Sequence, residues 1–217
     1  MNRSIEDYLK NIFTIKQSVG KVTTSMLAEN LGVSPAAVSE MVSKLSKAGY
    51  IENKPYKGFD LKPKGEKVAI NLVRKHRLWE VFLMKYLRYP WDKVHNDAEN
   101  LEHASSDELI GKLEIFMDYP KYDPHGYPIP DKNGKIEKDQ CMPLPEAEAG
   151  DNAIIRRVSD ESPEVLAYLS KIGLNLSDKI KIIEKIKFDN SIQILKNSEK
   201  IFLSEKLAGN IFVEIKK

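Results

Sequence analysis

One cysteine, Cys141, stands among 217 residues, so no intramolecular disulfide framework holds this chain and no Cys-rich zinc site can form in it. Long apolar runs are absent too: no stretch reaches the ~18 uncharged apolar residues that a membrane helix needs. The opening residues Met1-Asn2-Arg3-Ser4-Ile5-Glu6-Asp7 lack the apolar run of a signal peptide and lead straight into a helical pattern. These absences predict a cytoplasmic chain in a reducing compartment, with no membrane partner. A phosphate-cradling glycine loop, a lid motif and a nucleophile paired with a base are missing as well, which argues against an enzyme and leaves no catalytic residue to name. No internal repeat or low-complexity tract interrupts the chain. What remains, 41% hydrophobic and 30% charged residues, suits one large core or two to three small ones.

Charge is distributed unevenly. Residues 1 to 90 carry 16 Lys+Arg against 8 Asp+Glu, a formal +8, and residues 91 to 217 carry 18 against 24, a formal −6. The first part is therefore suited to a polyanion, and the second to solvent or to cations of its own.

Ser4-Ile5-Glu6-Asp7 reads as a capping-box-like start for an amphipathic helix to about residue 16, with Ile5, Leu9, Ile12 and Phe13 on one face. Thr23 or Thr24 caps a short helix that Gly32 breaks, and Ser34-Pro35 opens another that runs to about Lys47. Two helices about a tight Gly turn make a helix-turn-helix. Tyr50 to Lys54 and Phe59 to Leu61 then flank Pro55-Tyr56-Lys57-Gly58, a small hairpin with a basic tip that forms the wing of a winged helix. In such a reader, Ser34, Pro35, Ala36, Ser39 and Glu40 lie at base edges, while Lys44, Lys47, Lys54 and Lys57 lie near phosphates of double-stranded DNA.

A long helical pattern from Lys64 to about Arg88 carries Val68, Leu72, Val73, Leu78, Trp79, Phe82 and Leu83, too apolar for an isolated surface helix, so it predicts a homodimer interface or deep packing. Helices from about Asn96 to Ala104 and from Ser105 or Ser106 to about Met117 follow. Six of the 11 prolines then fall between Tyr119 and Pro145, the mark of an ordered loop or linker between domains. Beyond it, residues 153–158, 179–186, 191–195 and 211–215 alternate like strands, with a helix near residues 163–172, which predicts a small β-barrel.

All four histidines, His76, His95, His103 and His125, lie within one fifty-residue window. A half-buried structural imidazole accounts for any one of them; as a set, with carboxylates at helical spacing, they point to a metal. His76 and Glu80 are i,i+4, and Glu99, Glu102 and His103 are i, i+3 and i+4, so each group projects from one helix face. Oxygen and imidazole donors without thiolate suit Mn2+ or Fe2+ better than structural Zn2+, although Zn2+ and other divalent ions enter such sites in vitro.

Glu6-Asp7-Tyr8-Leu9, Val33-Ser34-Pro35-Ala36-Ala37-Val38-Ser39, His76-Arg77-Leu78-Trp79-Glu80 and the run Val94 to His103 together resemble the diphtheria toxin repressor family of metal-dependent transcriptional regulators, on its manganese-responsive side. Asp123 to Pro130 resembles the proline-rich loop of its three-domain members. The resemblance covers nearly the whole chain and implies a mainly α protein with a small β domain. It implies a winged helix-turn-helix over residues 1–64, a helical metal-binding and dimerisation domain with the proline-rich linker over 65–140, and an SH3-like domain over 141–217. It implies a primary metal site of Asp7, Glu99, Glu102 and His103, where iron-type members carry methionine and cysteine at the first two positions. A second site is implied from His76, Glu80 and His95, completed by Asp123, His125 or Asp160. The implied function is metal-dependent repression, with operator DNA bound by a metal-loaded dimer and metal-uptake genes as targets. A winged-helix regulator that senses an organic ligand, with a structural His/Glu cluster, stays open as the alternative.

Overall fold

A computed structural model describes residues 2–54, 58–138, 140–160 and 162–216. The chain forms two compact units, one of Met1–His76, Glu99–Leu113 and Pro130–Ile136, the other of Arg77–Ala98, Glu114–Ile129 and Glu137–Lys217.

In the first unit, α1 (Arg3–Val19), α2 (Thr24–Leu31) and α3 (Pro35–Lys47) precede the hairpin β1 (Ile51–Lys54) and β2 (Gly58–Leu61). The cap of α1 differs from the expected one: Asn2 accepts the Ser4 N–H through its side chain, so Ser4 to Asp7 are helical and Asp7 takes no part in the cap. An Asn oxygen reaches the N2 amide as well as a serine does, and its position two residues earlier leaves the Asp7 side chain for other contacts. Thr23 and Ser34 cap α2 and α3, with Pro35 at the start of α3. Leu9, Ile12, Leu27, Val38, Leu45 and Ile51 are fully buried in one core. The hairpin is antiparallel, with Ile51 opposite Leu61 and Lys54 opposite Gly58. The helix α4 (Pro63–Leu87) continues from this unit into the second, and α5 (His95–Ala104) and α6 (Asp107–Phe116) follow.

In the second unit, β3 (Met142–Pro143), β4 (Asn152–Val158), β5 (Lys179–Lys185), β6 (Ile192–Lys196), β7 (Glu199–Leu203) and β8 (Ile211–Lys216) form one antiparallel sheet in the order β3-β8-β4-β5-β6-β7. The helix α7 (Pro163–Lys171) and the short α8 (Glu205–Ala208) lie between strands, and Leu166, Leu169, Ile155, Ile182, Ile194 and Val213 fill a separate core. The proline-rich stretch is not a slack linker. Asp123 Oδ1 accepts from the backbone N–H groups of His125 at 2.8 Å and Tyr127 at 3.0 Å, and the Val158 N–H donates to the His125 carbonyl at 2.9 Å. Gly126 (φ 93°) seals this turn on β4: a Cβ there would stand 2.0 Å from the Arg156 carbonyl oxygen, so only glycine fits.

Candidate metal centre

The first cluster grows from two helices of the first unit. On α5 the i, i+3, i+4 spacing places Glu99, Glu102 and His103 on one face, and α1 brings Asp7 to meet them. One donor atom from each of Asp7, Glu99, Glu102 and His103 lies within 4.8 Å of all the others. Glu102 is fully buried and Asp7 is half-buried. His103 Nε2 stands 2.8 Å from Asp7 Oδ1 and 3.5 Å from Glu102 Oε1. Its other nitrogen, Nδ1, is 2.7 Å from Glu6 Oε2. Glu6 therefore holds the tautomer in which Nδ1 carries the proton and Nε2 offers its lone pair to the cluster, an orienting contact typical of histidines that ligate metals.

That geometry fits a cation. Asp7 Oδ1 and His103 Nε2 are buried acceptor atoms facing each other, and neither has a hydrogen-bond partner. Burial raises the Asp7 carboxyl above its ordinary value, His103 opposes the rise and Glu99 adds to it, so the cluster holds more negative charge than it can easily keep. A divalent ion between these atoms would satisfy both lone pairs. The donor set, three carboxylates and one imidazole, is hard, which favours Mn2+ or Fe2+.

His76, assigned to the second set by resemblance, has its Nδ1 2.5 Å from Glu102 Oε2 and 3.7 Å from Glu99 Oε2. Lys10 sits beside it, with Nζ 2.7 Å from Glu99 Oε2, 2.9 and 2.8 Å from the two Glu102 oxygens, and 3.1 Å from His76 Nδ1. The sequence gives the candidate ligands but not the roles of Glu6 and Lys10. Their contacts cross 97 and 92 residues, and only the one-turn spacing of Glu6, Asp7 and Lys10 along α1 hints at them.

A second cluster lies within the second unit, where Glu80, Asp123 and His125 each bring a donor atom within 4.8 Å of the others. All three are buried. His95 Nδ1 reaches to 3.8 Å from Glu80 Oε1 but is itself exposed, and Arg77 Nε lies 3.5 Å from Asp123 Oδ2. Asp160, half-buried, acts electrostatically on Asp123 and His125. Burial and the Glu80 charge raise the Asp123 carboxyl. Burial works against a charged His125 ring, but Glu80 and then Asp123 prevail and lift it to about 9, so at neutral pH the ring holds a proton that a cation would have to displace. Trp91, which sequence reasoning passed over, orients this histidine: its carbonyl is 2.9 Å from His125 Nε2 and its ring stacks on the imidazole at 6.1 Å.

In the reader, Ser34, Pro35, Ala36, Ser39, Glu40, Lys44 and Lys47 are all exposed along α3, with Val38, Val42 and Leu45 buried on its other face. Lys57 lies outside the described residues. Lys54 is occupied: its Nζ is 2.6 Å from Asp60 Oδ2 and 3.1 Å from Glu52 Oε1.

Comparison with known proteins matches the parts of the chain one by one. Residues 1–59 match the family described as "Iron dependent repressor, N-terminal DNA binding domain", residues 62–131 match "Iron dependent repressor, metal binding and dimerisation domain", and residues 142–215 match "FeoA domain". An HTH-type transcriptional regulator of Methanocaldococcus jannaschii is 39% identical over 119 residues, which are 54% of this chain and 95% of that one. The HTH-type transcriptional regulator MntR of Lysinibacillus sphaericus is 37% identical over 110 residues, 51% of this chain and 78% of its own. Among solved structures, a manganese-dependent transcriptional repressor in complex with manganese has a TM-score of 0.92 at 35% identity, over 98% of this chain and 100% of that one. The manganese regulator SloR has a TM-score of 0.84 at 35% identity, over 98% of each chain. ScaR with bound Zn2+ has a TM-score of 0.84 at 34% identity, over 99% of each chain.

Proposed function

This chain belongs to the iron-dependent repressor family, that of the diphtheria toxin repressor, and from that premise we propose that it is a manganese-responsive transcriptional repressor, not an enzyme, that binds operator DNA as a homodimer. The observation that carries the metal reading is the meeting of Asp7, Glu99, Glu102 and His103, with Asp7 Oδ1 and His103 Nε2 left without hydrogen bonds. The donors are hard, and similar solved structures include a manganese-dependent repressor in complex with manganese and the manganese regulator SloR, which favours Mn2+ over Fe2+. The targets are genes of metal-ion uptake, and the site of action is the cytoplasm; no described helix is long and apolar enough to cross a membrane.

A bound ion supplies two positive charges for carboxylates that otherwise repel. Asp7 belongs to the helix that leads into α2 and α3, and Glu99, Glu102 and His103 belong to α5. Shared ligation by these residues would tie the DNA reader to α5 and lower the ordering cost of operator binding. In a dimer the two α3 helices would be held about one DNA turn apart, ~34 Å. Ser34, Pro35, Ala36, Ser39 and Glu40 face bases, and Lys44, Lys47 and Lys57 face phosphates. His76, Glu80 and His95, completed by Asp123, His125 or Asp160, are the candidates for a second divalent-ion site.

The test is selection of genomic fragments by the chelator-stripped chain with Mn2+, with Fe2+ under anaerobic conditions, and with no metal. Enrichment of a palindrome only with metal is expected, strongest with Mn2+, and Asp7→Ala should abolish it while the dimer persists. Equal enrichment in all three arms would overturn the metal reading and favour a regulator that answers to another ligand.

A further inference from the structure

The four ligand-type residues of the first cluster are not the only charges in it. Lys10, on α1 one turn after Asp7, is 91% buried, and its ammonium makes short contacts with Glu99 and with both oxygens of Glu102, plus one with His76 Nδ1. Buried ammonium groups are expensive to desolvate and persist where several acceptors surround them. Here the acceptors are carboxylates of the candidate metal centre itself. From this contact set we infer that Lys10 is a resident cation that competes with the divalent ion for Glu99 and Glu102 and so sets the metal concentration at which the protein responds. The inference rests on the metal reading above.

The charges are consistent with that role. Asp7, Glu99 and Glu102 bring three negative charges, and Lys10 with one divalent ion brings three positive ones. Before metal binds, the ammonium already offsets part of the repulsion, and it links α1 to α5 and, through His76, to α4. A divalent ion held by Glu99 and Glu102 would have to share their carboxylates with Lys10. Glu102 has both oxygens within 2.9 Å of Nζ, so any turn of that carboxylate towards an ion costs a contact with Lys10. Lys10 thereby steadies the metal-free fold and raises the metal level needed to displace it. Lys10 has no place in the ligand set, and its effect is on affinity.

The test compares the full-length, chelator-stripped wild type with Lys10→Met, Lys10→Arg and Asp7→Ala. Mn2+ is titrated by calorimetry, following the binding event that Asp7→Ala removes, and thermal melting is recorded in chelator and in saturating Mn2+. Lys10→Met should bind Mn2+ at least about tenfold more tightly, since a like charge beside the ion is gone. Its melting temperature in chelator should fall, and the gain on adding Mn2+ should exceed that of the wild type. Lys10→Arg, which keeps the charge, should stay within about threefold of the wild type. If Lys10→Met does not fold in chelator, Lys10→Gln, with donors but no charge, takes its place. Equal or weaker Mn2+ binding by a cooperatively melting Lys10→Met or Lys10→Gln would overturn the inference. A wild type whose Mn2+ binding is unaffected by Asp7→Ala would instead overturn the metal site on which it rests.

Discussion

At the scale of single residues the candidate metal centre is shaped by groups outside its four-residue donor set. Glu6 Oε2 lies 2.7 Å from His103 Nδ1, a contact that turns Nε2 toward Asp7. Glu6→Gln keeps an oxygen able to accept that bond but removes the negative charge that fixes the ring in place. We expect it to weaken Mn2+ binding by about 10- to 100-fold with the fold intact; calorimetry on the chelator-stripped variant reads this, and an unchanged affinity would mean that His103 needs no such support. The candidate donors on α5 could be grouped from sequence because helix geometry is local: an i, i+3, i+4 set faces one way whatever the tertiary structure does. Asp7, Asp123 and Asp160 entered only through resemblance, and His125 only as one of four clustered histidines, since nothing local joins them to α5 or to Glu80. The roles of Glu6 and Lys10 escaped for the same reason, Glu6 reaching His103 across 97 residues and Lys10 reaching His76, Glu99 and Glu102 across 66, 89 and 92. His76 stands one turn before Glu80 on α4, as the i,i+4 spacing implies, and its Nδ1 also meets Glu102, a contact across 26 residues that no local spacing encodes.

At the scale of elements, capping chemistry made the reader legible. Thr23, Ser34 and Pro35 sit where the expected helices begin. The start of α1 was misplaced because Ser4 and Asn2 are both competent caps and only the structure selects between them. In the second unit, β7 went unseen: residues 199–203 are mostly exposed or half-buried and lack the alternation that marks a strand, and pairing with β6 makes them one. Wing placement depends on a charged contact that periodicity does not encode. Asp60 on β2 pairs with Lys16 of α1 and with Lys54 of β1, and hydrogen bonds from both lower its carboxyl to about 2. A carboxyl lowered in the folded state stabilises the fold above its unfolded value near 4 and loses that contribution as pH falls through 2. Both lysines are more than 40% exposed, so the contribution is discounted to about 1 kcal/mol. Asp60→Asn should therefore destabilise the chain by about that amount at pH 7 and flatten the loss of stability between pH 4 and pH 2. Urea unfolding across that range measures it, and a variant with wild-type pH dependence would show that the wing is held by packing alone.

At the scale of the whole molecule, a dimer needs an apolar face, and the sequence placed that need on α4 without locating the face. The second unit supplies one. Phe82, Tyr86 and Phe116 contact one another with ring centroids 5.6 Å (Phe82–Tyr86), 6.3 Å (Phe82–Phe116) and 4.9 Å (Tyr86–Phe116) apart. Phe116 remains 62% exposed, and Leu87, Ile115 and Tyr119 are exposed with it. A patch of this kind on a single chain marks an association site, where aromatic side chains carry much of the binding energy. Phe116→Asp puts a charge into that face without touching either metal cluster. Sedimentation velocity at micromolar concentration should then find monomer where the wild type is dimeric, with Mn2+ still bound. Operator affinity should fall by at least about a hundredfold, because one reader on one half-site loses the second set of phosphate and base contacts. A monomeric variant that still bound the palindrome at full strength would mean that each chain reads DNA alone, and metal would then have to act within the single reader, through the link that Asp7 makes between α1 and α5.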